Sequence, residues 1–186
     1  DALVCQELGL ETSPADMSEW EAVIQRIIKP QHQVRIGVIG KYIHLQDAYK
    51  SVYEAVTHAG GANDCAIEIV RVDSEDIERD GAAAHLADMD GILVPGGFGE
   101  RGVEGKVLAA QYARENNVPY LGLCLGMQIA CIEFARHALG LDGAHSAEFD
   151  AQTPHPIIAL LDEQQNVTDM GGTMRLGAQA CALTPG

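Results

Sequence analysis

Basic side chains are scarce in this chain: 12 Lys and Arg stand against 27 Asp and Glu, a net charge of −15. Proteins that grip a nucleic-acid backbone do so by neutralising phosphates with Lys and Arg, so the balance excludes a general nucleic-acid binder. A nucleotide ligand would need a local basic pocket set against that field. Long apolar runs are absent too: none reaches the roughly 18 residues of a membrane-spanning helix. The first residues do not form a basic-then-apolar leader. The five cysteines are odd in number and include no C-x-x-C pair, which reads as free thiols in a reducing cytoplasm rather than a disulfide frame. No group of His, Cys and carboxylates has metal-ligand spacing, and there is no internal repeat or low-complexity tract. What remains is an ordinary globular composition, 186 residues with 47% hydrophobic and 20 Gly, enough for one domain with a sizeable core. The chain opens on Asp1 in mid-pattern rather than on Met, and looks cut from something longer.

Residues 1–33 stand apart from the rest of the chain. Asp16-Met17-Ser18-Glu19 has the spacing of a capping box, and Trp20, Val23, Ile24, Ile27 and Ile28 then recur on one helical face until Pro30. The segment reads as the tail of a preceding domain plus a linker helix whose apolar stripe needs a partner. From Val34 strand and helix alternate. Strands are expected at 34–39, 66–72, 91–94 and 118–123, and helices at 47–59, 82–87, 103–115 and 125–139, with Gly60-Gly61 as a natural C-cap. That order predicts a doubly wound α/β fold, a parallel sheet covered on both faces, with ligands at the carboxyl ends of the strands. Beyond Gly140 further strands are expected at 156–161 and 173–183, making the sheet mixed at its edge.

Two glycine-rich turns fall at those carboxyl ends. In Gly122-Leu123-Cys124-Leu125-Gly126 an apolar strand meets a helix around one cysteine. Glycine on both sides lets the backbone turn sharply at a reactive residue. The unpaired N–H groups and positive dipole end of the helix behind Cys124 favour an anion there. On the pentapeptide alone a small buried core thiol is an equally good reading. Pro95-Gly96-Gly97-Phe98-Gly99 follows a buried strand, so its N–H groups can face the cleft beside Cys124 as an oxyanion hole. A phosphate loop is rejected at Gly99 to Lys106: Gly99 and Gly105 are one residue too far apart, and Val107 replaces the magnesium-binding Ser/Thr. A nucleophilic cysteine wants an imidazole base, yet no pattern ties any of the seven histidines to Cys124.

Taken with Gly171-Gly172-Thr173-Met174-Arg175-Leu176-Gly177, these two motifs resemble the class I glutamine amidotransferase domain of the CTP synthase family. Gly40-Lys41-Tyr42, Asp47 to Ser51 and Arg101 to Gly105 carry the same resemblance, which covers essentially the whole chain. It implies that residues 1–33 are the end of a synthetase domain and its linker, and that 34–186 are an amidotransferase domain without its C-terminal part. It implies a flavodoxin-like sheet and a cysteine, Cys124, that attacks the side-chain amide of L-glutamine to give a thioester and ammonia. Gly97 and Leu125 would hold the oxyanion, and Gln128 and Glu148 the amino-acid end of glutamine. GTP would act as effector near Lys50, Phe98 and Arg101, with 171–177 as a lid. In the parent enzyme the ammonia would aminate UTP to CTP with ATP and magnesium, in a cytoplasmic homotetramer that uses neither membrane nor nucleic acid. No metal or cofactor is implied for these 186 residues themselves.

The family's catalytic His and Glu would lie beyond Gly186, so the resemblance implies a nucleophile without its base and negligible glutaminase activity for this chain alone. Two other readings keep the motifs: a cysteine γ-glutamyl hydrolase of related architecture, or an inactive amidotransferase-like module that binds glutamine or a partner through its acidic surface.

Overall fold

Val34, Ile36, Val38 and Ile39 belong to the central strand β1 (His32–Gly40), whose last four residues are fully buried. A computed structural model describes residues 2–160 of the chain, apart from 12, 14, 44 and 46. β1 is flanked by β2 (Cys65–Asp73) on one side and by β3 (Gly91–Val94) on the other, and β4 (Tyr120–Gly122) pairs with β3. All three pairings are parallel, in the order β2-β1-β3-β4. A parallel sheet needs a crossover between neighbours, and the helices supply it. The crossovers are α3 (Lys50–Ala62), α4 (Ser74–Asp80) with α5 (Ala83–Leu86), and α6 (Val103–Glu115), while α1 (Ala2–Glu7) and α2 (Ser18–Ile28) precede the sheet and α7 (Leu125–His137) follows it. The chain order reverses between β1 and β3, which is where such sheets open a crevice at their carboxyl ends.

Two apolar clusters hold the layers together. Ile39, Val72, Ile77, Leu86, Ile92 and Val94 pack with Ala109 and Ala113 between the sheet and α4 to α6. Val103, Val107 and Ala110 of α6 meet Leu125, Ile129 and Ile132 of α7 in the second. The small alanines of α6 let it lie close to the sheet, and truncating one of the fully buried isoleucines to Ala would cost ~2–5 kcal/mol.

Several expectations are corrected. Gly60 and Gly61 are buried inside α3 rather than capping it. A Cβ on Gly60 would crowd the Cys65 carbonyl and Ile67, and one on Gly61 would meet Ile27, so these glycines let α3 approach β2 and α2 closely. The turn out of α3 falls instead at Asn63 and Asp64, the latter with φ +57°. The capping box before α2 does not form: Met17 occupies the N-cap, and the Asp16 carboxylate accepts the Ser18 N–H at 3.0 Å. Helix α4 is unexpected, since SEDIERD shows little apolar periodicity; it starts because the Asp73 carboxylate accepts the Glu75 N–H at 2.9 Å. Coverage on both faces is incomplete among the described residues. On the α3 side an apolar groove lined by Val34, Ile36, Val56, Leu93, Pro119 and Leu121 stays open, and Leu121 is 55% exposed.

Past α7, β5 (His145–Ser146) and β6 (Pro156–Ile158) form a separate parallel pair, the second shorter than expected. The strand expected at 173–183 and the lid at 171–177 lie outside the described residues. Of the apolar stripe of α2, Trp20, Ile24, Ile27 and Ile28 are exposed, with Ile27 beside Gly61 of α3.

Candidate active site

The end of β4 is pinned before the chain turns. The Leu123 N–H donates to the Val94 carbonyl at 2.9 Å, and the Gly126 N–H returns to the Leu123 carbonyl at 2.9 Å. Between them Cys124 is held at φ +52° and ψ −106°, a left-handed strained conformation that a residue with a side chain rarely adopts. The flanking glycines make it possible. A Cβ on Gly122 would overlap the Gly126 carbonyl, and one on Gly126 would overlap the Val94 carbonyl. The result is an exposed thiol at the first turn of α7. The alternative of a buried core thiol is therefore excluded.

The loop after β3 comes up beside it. A Cβ placed on Gly96 would stand 3.4 Å from the Cys124 Cβ and 3.9 Å from its Sγ, and one on Gly97 would stand 3.6 Å from the Leu125 side chain. Among the described residues the N–H groups of Gly97 and Leu125 have no hydrogen-bond partner. Gln128 follows Cys124 by one helical turn, on the same face of α7, and is half-buried. Glu148 is exposed in the turn after β5, where its N–H donates to Ser146 Oγ at 3.2 Å. Neither Gln128 nor Glu148 is hydrogen-bonded to the other, and among the described residues no side chain, histidine included, is hydrogen-bonded to the Cys124 thiol.

The residues expected around an effector are only partly gathered. Phe98 is 81% exposed, and its carbonyl accepts the Lys41 ammonium. Arg101 pairs with Glu75 at 2.6 Å and donates to the Lys41 carbonyl at 3.3 Å. Lys50 opens α3 and is exposed, and nothing ties it to the other two. Sequence reasoning missed two cations here. Lys41 is 8% exposed and Lys106 only 2%. Burial, with the charges of Lys41 and Arg101 beside it, pushes the Lys106 ammonium down to about 8. Lys106 lies in the first turn of α6. The signal that could have found it was the Val103, Val107, Ala110 face of α6, on whose buried flank residue 106 falls. Among the described residues no three His, Cys or carboxylate side chains form a metal-holding group, and no helix is long and apolar enough to cross a membrane.

Residues 44–186 match the family model described as glutamine amidotransferase class-I. The chain belongs to the class I glutamine amidotransferase family. Within it, this amidotransferase chain is 55% identical over all of its length to the CTP synthase of Geobacillus kaustophilus, of which it covers 35%. It is 53% identical to the CTP synthase of Streptococcus thermophilus with the same coverage. It thus spans about a third of the length of these curated relatives. Among solved structures, the Trypanosoma brucei CTPS glutaminase domain with bound acivicin superposes at a TM-score of 0.67 and 44% identity, covering 72% of this chain and 52% of that one. The flavodoxin-like parallel sheet expected of this family is the one observed.

Proposed function

We propose that the chain is the glutaminase part of a CTP synthase and that Cys124 is its nucleophile. The observation that carries this is the strained, exposed Cys124 at φ +52° between β4 and α7, with Gly96 and Gly97 alongside. The Cys124 thiolate attacks the γ-carboxamide carbon of L-glutamine. A sulfur–carbon bond forms, and the carbonyl π pair moves onto oxygen, where the free N–H groups of Gly97 and Leu125 receive it. Such donors, aimed at charge that develops in the transition state, are often the largest single contribution to catalysis. Collapse of the tetrahedral species, with a proton passing from solvent water to nitrogen, breaks the carbon–nitrogen bond and expels ammonia. Water then cleaves the glutamyl thioester to glutamate.

Gln128 and Glu148 hold the ammonium and carboxylate end of glutamine, and Lys50, Phe98 and Arg101 serve a GTP effector. In the whole protein the ammonia aminates UTP, activated by ATP with magnesium, and the active assembly is a homotetramer. Residues 1–33 lead out of the synthetase domain, a role that suits the exposed apolar residues of α2. The 55% identity to a CTP synthase supports this reading over a γ-glutamyl hydrolase.

The test is intact-mass spectrometry after incubation with the glutamine-mimicking electrophile 6-diazo-5-oxo-L-norleucine. A single adduct that Cys124→Ala abolishes is expected. Equal labelling of the Cys124→Ala variant would overturn the assignment.

A further inference from the structure

Tyr120 lies in β4 ahead of the elbow, yet its side chain reaches past it: the hydroxyl donates to the Gly126 carbonyl at 2.8 Å. That carbonyl shares its peptide group with the Met127 N–H, which donates to the Cys124 carbonyl at 3.1 Å. The Cys124 carbonyl in turn shares its peptide group with the Leu125 N–H, which is free among the described residues. We propose that Tyr120 is a positioning residue for the oxyanion hole: its hydroxyl anchors a chain of two hydrogen-bonded peptide groups, Gly126-Met127 and Cys124-Leu125, that aims and polarises the Leu125 N–H. The inference rests on the proposed glutaminase chemistry of this site.

The physical reason is cooperativity. A carbonyl that accepts a hydrogen bond draws electron density from its amide nitrogen, so the attached N–H donates more strongly, by about 10–30% per bond. Here the direction is unbroken from the phenol to the site where the oxyanion forms. Burial pushes the Tyr120 phenol's pKa up, with the charges of Cys131 and Glu133 adding to it, so the hydroxyl stays protonated and remains the donor. The ring packs against both apolar clusters, so it keeps its place when the hydroxyl is removed. The Gly126 carbonyl also lies inside α7 as an ordinary helix acceptor, so it is not orphaned without the phenol.

The experiment compares wild type with Tyr120→Phe in the intact protein, using two electrophiles read by intact mass. One is L-2-amino-4-oxo-5-chloropentanoate, a chloromethyl ketone bearing the amino-acid end of glutamine. Cys124 sulfur displaces its chloride while its ketone oxygen uses the oxyanion donors. The other is iodoacetamide, in which the sulfur displaces iodide without engaging the glutamine site. Losing an oxyanion donor outright costs about 10²–10³ in rate, and weakening one is expected to slow the chloroketone about three- to tenfold. Iodoacetamide rates, chloroketone half-saturation and thermal midpoint should stay within about a factor of two or a few degrees of wild type. Tyr120→3-fluorotyrosine, a stronger phenol donor, should raise the chloroketone rate above wild type. Unchanged chloroketone rates in Tyr120→Phe, or equal losses with both reagents, would overturn the inference and leave the glutaminase reading standing. A wild type that the chloroketone does not modify at Cys124 would instead sink the glutaminase reading and this inference with it.

Discussion

At the scale of single residues, the site is a balance between a strained conformation and the contacts that enforce it. Cys124 at φ +52° would relax if its neighbours allowed it. They do not, because Gly122 and Gly126 bring the Leu123 and Gly126 peptides against Val94. Gly126→Ala drives a Cβ into the Val94 carbonyl, and overpacking of this kind costs ~1–3 kcal/mol. Urea denaturation should show that loss, together with slower labelling of Cys124 by 6-diazo-5-oxo-L-norleucine. Gly140→Ala is the matched control. Unlike Gly126 it has a positive φ, +68°, but nothing lies within 4 Å of the new methyl, so its cost is backbone strain alone, about 1–2 kcal/mol, with labelling unchanged. The cysteine and its two glycines were legible in the sequence because the requirement is local. The Tyr120 bridge was not, since nothing in VPYLG marks which side of the strand the phenol takes.

At the scale of elements, α6 and α7 are held by more than apolar packing. The Glu133 carboxylate of α7 is 3% exposed and takes Arg114 of α6 at 2.8 Å and His137 of its own helix at 3.2 Å. Glu133→Ala would remove the shared partner of both. Arg114 keeps its water, because its side chain is 36% exposed, so the loss should fall to ~1–3 kcal/mol rather than the ~3–5 of a fully buried pair. Denaturation midpoints would check it, and an unchanged midpoint would refute it. Lys106 gives α6 a pH signature. Its folded pKa of about 8 lies below the ordinary 10.5, so between those values the unfolded chain binds more protons than the folded one. Stability therefore rises with pH from about 8 to 10, and the penalty of burying the charge is fully present below 8. Unfolding free energies across about pH 7–10 should show that rise in wild type. Lys106→Met, which keeps the stem and removes the charge, should flatten it and be more stable than wild type near neutral pH.

At the scale of the whole molecule, the described residues bring the Cys124 thiol beside Gly96 and Gly97, and none of their imidazoles is hydrogen-bonded to it. Losing one member of such a catalytic set typically costs at least ~10³-fold in turnover. On the proposed glutaminase reading, ammonia release from L-glutamine by this chain should fall at least about 10³-fold below that of a complete class I amidotransferase. Turnover within about tenfold of it would refute this. The apolar groove over β3 and β4 belongs to the same scale. With Leu121 55% exposed, the sheet presents on that side the kind of contiguous apolar surface that promotes association.

The sequence alone determined what depends on neighbours in the chain. The strand-helix alternation, the bounds of α6 at Val103–Glu115, the elbow at Cys124 and the family itself are written in local periodicity and in short motifs, because backbone sterics and one-sided burial act over a few residues. Tertiary structure decided what depends on residues far apart. Gly60 and Gly61 became packing sites because α2 and β2 lie against them, and Lys106 acquired its low pKa because the fold closed over it beside Lys41 and Arg101. Arg101 was drawn into an ion pair with Glu75, and Tyr120 reached across the elbow to Gly126. Steric crowding, desolvation and hydrogen-bond direction are properties of a surrounding, and a surrounding exists only once the chain has folded.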